Sequence, residues 1–245
     1  MAIAGSALAL PAVTELFVGS FVQYAQDNAA GLLRLTVQHI DLITLAMGIA
    51  VPVGLVLGVL ITFDERVATV VIWLAGIMLT VPSIALFGLL IPIFGIGDPP
   101  VIIALVLYSQ LPIIRNTYVG IKQVDPAAAE AGRGLGMTRW ERLRMVQLPI
   151  ALPVIMAGVR NAVVILIGIA AIGAYIGAGG LGNPIFAGIT QAQTPQIVVS
   201  TLVLSGLALA VDYGFGQIER WLRIRKGEDV EPTSPVRLLS KLPGL

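Results

Sequence analysis

Few residues in this chain are equipped for chemistry, and their placement narrows the field. There is one histidine, His39, and no cysteine. Disulfides and thiolate metal sites are excluded, and one histidine does not provide the His and acid cluster that metal-assisted hydrolysis needs. Gly177, Gly179 and Gly182 spell G-x-G-x-x-G. The dinucleotide fingerprint needs a strand before it and an acid about 20 residues on. Here a long apolar run precedes it and the apolar Ile197–Leu202 follows, so the glycines read as a tight turn with Asn183 and Pro184. Three ionisable residues lie inside apolar runs: Arg115, Arg160 and Asp212. Such groups are costly in lipid and turn toward protein or water. They are expected near the cytoplasmic ends of their spans, snorkelling or ion-paired. No acid is expected near the middle of a span, which argues against proton or sodium coupling. Trp73, Tyr108, Tyr118, Tyr175 and Tyr213 could offer ring faces to a quaternary ammonium group. Interface anchoring and packing are the commoner uses of such residues, and none is assigned to substrate.

The densest group of polar residues is an island from Val124 to Pro153, flanked by apolar runs. Seven of the fifteen Lys and Arg fall between Arg115 and Arg160. Asp125 followed by Pro126 is a favourable helix start, a capping carboxylate before a residue with no N–H to lose. Ala127–Ala131 then makes a small-faced helix carrying one acid, Glu130. Gly132, Gly134 and Gly136 are expected to end it. Thr138 and Glu141 have capping-box spacing and start a second short helix. Pro149 and Pro153 bracket the return to apolar sequence. Local chemistry alone allows two readings, a docking surface for a soluble partner and a solvated helical hairpin.

Whatever the island does, membrane spans must position it. The chain is 57% hydrophobic and 12% charged, where soluble domains carry about 25% charged residues. Five helical spans are expected: Asp41–Phe63, Val67–Phe94, Pro99–Ile121, Val146–Ala174 and Ile197–Gln217. Each exceeds the roughly 20 residues a bilayer needs, and each must be helical because lipid satisfies no backbone polar group. Pro52, Pro82, Pro92, Pro112 and Pro153 fall within them and are expected to kink them. The segments near Gly95–Pro100 and Tyr175–Gln196 carry no Lys or Arg, whereas the Asp64–Arg66 loop, the island and the tail after Arg220 carry nearly all of them. The positive-inside rule then puts the amino terminus outside and the carboxyl terminus in the cytoplasm. Arg34 is the one basic residue on the wrong side. Residues 1–40 form an extracytoplasmic or interfacial segment, with Glu15–Arg34 as an interfacial helix. Residues 41–220 are the membrane domain, with residues 124–149 as the loop, and 221–245 a cytoplasmic tail, disordered over Gly227–Leu245. No Lys or Arg precedes Arg34, so no cleaved signal is expected. Gly54 with Gly58, and Gly173 with Gly177, have the spacing of close helix contacts within the chain.

The order Glu130-Ala131-Gly132, then Gly136, Val146 and Leu148-Pro149, resembles the EAA signature of ABC importer permeases. Gly132 stands where the signature has a second alanine, and Val146 where it has isoleucine. The likeness extends over about Leu42–Arg220, through VPSIALFGLLIPIFGIG at Val81–Gly97, LPIIRNTYVGI at Leu111–Ile121, LPIALPVIMAGVR at Leu148–Arg160 and IGAGGLG at Ile176–Gly182. It is nearest to permeases for glycine betaine, choline and carnitine. The resemblance implies an all-α polytopic membrane protein with a cytoplasmic coupling helix. It implies that Asp125, Pro126, Ala129, Glu130, Ala131, Gly132, Gly136, Val146, Leu148 and Pro149 couple to cytoplasmic ABC ATPase subunits. It further implies a separate extracytoplasmic binding protein and a second permease subunit, in a homo- or heterodimer. No cofactor is expected on this chain, ATP being bound by the partner. An ion-coupled carrier or channel is the alternative, and no clear inverted repeat supports it. A membrane-embedded enzyme finds no catalytic cluster.

Overall fold

The computed structural model describes residues 18–225, and all regular structure among the described residues is helical. The elements run in this order: α1 (residues 18–27), α2 (Ala29–Leu60), α3 (Glu65–Thr80), α4 (Ser83–Phe94), α5 (Asp98–Lys122), α6 (Pro126–Gly134), α7 (Arg139–Arg142), α8 (Leu148–Gly173), α9 (Gly182–Thr190) and α10 (Thr194–Ile224). Short 3₁₀ turns at Ile61–Phe63 and Ala174–Ile176, and a π turn at Leu143–Gln147, join neighbours. The helical runs Ala29–Phe63, Asp98–Lys122, Arg139–Ile176 and Thr194–Ile224 are long and apolar enough to span a bilayer, and α3 with α4 is apolar enough only as a pair, bent at its middle, which is a fifth crossing where the pair forms one span.

Helix α5 is the central post, with α2 and α8 packed on it. Apolar side chains gain little by leaving lipid for one another, so packing here depends on close backbone approach. The glycines supply it. A Cβ on Gly54 would strike Ile113, one on Gly58 Thr117, one on Gly158 Asn116 and the Pro112 carbonyl, and one on Gly173 Val101. The spacings expected to serve contacts within the chain do so at Gly54, Gly58 and Gly173. Gly177 instead takes a left-handed turn, at φ 88°. The interlocked core includes Ala46, Ala50, Phe87, Leu105, Ala162 and Leu166.

Three expectations are corrected. The helix that holds the first span does not begin at Asp41: α2 starts at Ala29, and Arg34 lies within that helix. The run Ala29–Phe63 has 35 residues, about 52 Å at 1.5 Å per residue, so it must tilt or project beyond a hydrocarbon core about 30 Å thick. The second span is not one rod. Its chain bends by 97° between α3 and α4. Val81 precedes Pro82, which pushes it out of the helical region to φ −69°, ψ 128°. The Val81 carbonyl is taken up by the Tyr108 hydroxyl, which donates to it at 2.7 Å. Tyr108 is thus a buried brace and not a ring facing a cation path. By contrast Pro52, Pro92, Pro112 and Pro153 stay inside their helices. Third, the stretch between Tyr175 and Gln196 holds the nine-residue α9. The expected interfacial helix Glu15–Arg34 falls partly, and the tail Gly227–Leu245 wholly, outside the described residues.

Candidate functional site: the polar island

The island folds as its local chemistry dictates. Asp125 Oδ1 accepts from the Ala127 N–H at 2.8 Å, and Pro126 opens α6. The helix closes through two bonds: the Met137 N–H donates to the Gly132 carbonyl at 3.1 Å and the Gly136 N–H to the Arg133 carbonyl at 3.0 Å. This is the Schellman closure, whose C′ residue must be left-handed. Gly136 fills that place at φ 80°. Gly132 and Gly134, expected to help end the helix, are inside it. Gly132 is its one buried residue, because Met137 and Arg142 fold over it.

Thr138 and Glu141 form the reciprocal capping box. The Thr138 N–H and hydroxyl each donate to Glu141 Oε2 at 2.8 Å, and the Glu141 N–H donates to Thr138 Oγ1 at 3.3 Å. From α7 the chain continues without a break through the π turn into α8. Pro149, the second residue of α8, accounts for the widening. It has no N–H for a carbonyl four residues back and its ring crowds that carbonyl, which a π turn relieves. Val146 is half-buried in that turn and Leu148 half-buried at the start of α8.

The site residues therefore divide. Asp125, Pro126 and Gly136 shape α6. Glu130 and Ala131 are exposed on it, Ala129 is half-buried and Gly132 is covered. Val146, Leu148 and Pro149 form the root, next to Leu143, which packs with Ile121, Ala151 and Ile155. Arg139 anchors the island sideways, its guanidinium 4.4 Å from the centre of the Phe63 ring where α2 meets α3. Lys122 and Glu65 pair beside it at 3.1 Å.

Sequence reasoning missed the apolar residues at the tip. Leu135 is 79% exposed and Trp140 60% exposed. Both stand among Arg133, Arg139 and Arg144 in a segment with no lipid-length apolar run of its own. An isolated exposed apolar residue is ordinary, but an indole and a leucyl side chain flanking one turn form a small apolar face ringed by charge. The available signal was two large apolar letters in an otherwise polar stretch.

Of the intramembrane ionisable residues, Arg160 and Asp212 meet. Arg160 Nε and Nη2 donate to the two Asp212 carboxylate oxygens, both at 2.6 Å. Glu219 lies 3.5 Å from Arg160 and 2.8 Å from Arg223. The ion pair expected for these groups is present, but not near the ends of their helices. Arg160 stands halfway along α8, and α10 runs to Ile224, seven residues past the expected Gln217.

A family model described as binding-protein-dependent transport system inner membrane component matches residues 50–224. Over 197 residues the chain is 48% identical to the osmoprotectant import permease protein OsmW of Salmonella typhimurium, covering 78% of this chain and 92% of that relative. It is 42% identical to the choline transport system permease protein OpuBB of Bacillus subtilis over 201 residues, 82% of this chain and 93% of the relative. In three dimensions it resembles a chain of the MetNI methionine ABC transporter, solved in inward-facing conformations, at a TM-score of 0.69 and 23% identity over 78% of this chain and 96% of that one. The last likeness speaks for the fold of an importer membrane subunit. A sequence match of such extent, on that helical frame, makes this chain a member of the binding-protein-dependent transport system inner membrane components.

Proposed function

We propose that this permease subunit serves an ATP-driven importer of quaternary-amine compatible solutes, the class of glycine betaine, choline and carnitine. A separate extracytoplasmic binding protein delivers the solute, and a second permease subunit, the same or related, completes the path. Cytoplasmic ABC ATPase subunits bind and hydrolyse ATP; this chain performs no catalysis. The amino terminus lies outside and the carboxyl terminus in the cytoplasm, so the island faces the ATPase. The observation that carries the coupling role is the form of the island. It is a doubly capped projection, rooted by Leu143 among the membrane helices, with Leu135, Trp140 and the exposed Glu130 at its surface. Residues 124–149 act as a rigid contact between two states of the membrane helices, and nucleotide-driven closure of the partner biases one of them. The relatives' names support the solute class, and the signature Glu130-Ala131-Gly132 through Leu148-Pro149 supports the partner.

Affinity purification in mild detergent tests the assembly. An ABC ATPase and a solute-binding protein should accompany the chain, and the solute held by that protein fixes the cargo. Glu130→Lys should abolish uptake while leaving the chain in the membrane. Full uptake by that variant, or labelling of the island from outside the cell, overturns the docking role.

A further inference from the structure

The polar residues inside the membrane helices are not scattered. Arg115 and Asn116 of α5, Asn161 of α8 and Asp212 of α10 line one open groove of about 400 Å³. It opens between helices long and apolar enough to cross a membrane. Pro112 and Asn116 pack on Gly158 midway along the bundle, and Arg115 is seven residues, about 10 Å, from the island end of α5. Arg115 and Asn161 are exposed on this wall. Lipid tails offer such groups nothing, so a wall of this composition turns to water or to a protein neighbour.

Its charge balance is specific. Arg160 and Arg223 are matched by Asp212 and Glu219. Asn116 donates to the Pro112 carbonyl at 2.8 Å. Arg115 has no ion pair among the described residues. The groove therefore presents one uncompensated guanidinium beside neutral amides and a neutralised acid. Guanidinium binds carboxylate with two parallel hydrogen bonds and repels a plain cation.

We infer that this groove is a solute subsite at membrane depth, in which Arg115 receives the carboxylate of a zwitterionic quaternary amine. The site selects glycine betaine or carnitine type solutes over choline, which has no carboxylate. The assignment rests on the importer reading above and adds a residue and a solute class to it.

The chain has no native cysteine, which allows a direct test. Arg115→Cys in native membranes should react with a charged, impermeant methanethiosulfonate, and excess glycine betaine should slow the reaction several-fold. Leu45→Cys, on an exposed apolar face, should stay unlabelled. In cells carrying the complete importer, Arg115→Gln should cut uptake of labelled glycine betaine at least tenfold, with Arg115→Lys keeping a measurable part. The ATPase should co-purify with Arg115→Gln as it does with the wild type. An unreactive thiol in the Arg115→Cys variant, wild-type betaine uptake by Arg115→Gln, or a wild-type preference for choline overturns the inference. If no ATPase accompanies the wild-type chain, the importer reading itself fails; if it does and uptake ignores residue 115, only this subsite is lost.

Discussion

Two glycine turns in this molecule have the same backbone hand and opposite surroundings. Gly136 ends α6 at φ 80° with open space around it. Gly179 and Gly180, between α8 and α9, both sit at φ 74° beneath α2. A Cβ on Gly179 would run into Gln38, and one on Gly180 would come within 2.7 Å of His39 Nδ1. The Gly180 N–H donates to Gln38 Oε1 at 3.2 Å, and His39 Nε2 lies 3.1 Å from the Ile167 carbonyl. Nearby, Gly182 presses on the backbone of Ala171. One turn is glycine for conformation only and leaves its flank free. The other is glycine for conformation and for space, and is clamped between two helices. The first suits a surface that meets a partner, the second a joint that holds the fold.

Substitutions should separate these two demands. The largest effect is expected for Gly180→Ala. Left-handed strain of about 1–2 kcal/mol adds to an overpacking cost of about 1–3 kcal/mol, and thermal unfolding in mild detergent should show a sharply less stable protein. Stability equal to wild type would break the contrast. Gly136→Leu should cost only the strain, about 1–2 kcal/mol, and remain in the membrane, yet lose uptake because the exit from α6 is redirected. Comparable destabilisation of the two variants would count against the distinction. Asp125→Ala removes the cap and should cost about 1 kcal/mol, with a smaller fall in uptake and ATPase co-purification. Gly132→Ala should be the mildest, within about 0.5 kcal/mol of wild type. Its Cβ would meet Met137 Sδ at 3.3 Å, and a thioether can turn aside. A full uptake profile for this last variant would show that the alanine of the signature is interchangeable with glycine here.

The island was legible because its signals are local. Asp125-Pro126 and Thr138 with Glu141 each act within four residues, and the structure forms both caps as the spacing requires. The approximate number of spans followed from apolar length. What the sequence hid depends on distant partners. Pro82 differs from Pro52, Pro92, Pro112 and Pro153 because its chain break is stabilised by Tyr108, 27 residues on from Val81. Arg160 and Asp212 are 52 residues apart, and only the crossing of α8 and α10 shows that they neutralise each other. Arg139 finds Phe63 by the same kind of encounter. The roles of Gly132 and Gly134 were misjudged because composition cannot tell a glycine inside a short helix from the one past its end.

The unbroken run from Arg139 to Ile176 has a mechanical consequence. It contains 38 residues, about 57 Å of helix, nearly twice the thickness of a hydrocarbon core. Its near end carries the capping box and its far end reaches the turn clamped under Gln38 and His39. A rod pivoting about its middle swings its two tips in opposite senses by similar amounts. On the coupling role proposed above, a displacement applied at Trp140 would reach Tyr175 by leverage and not side chain by side chain.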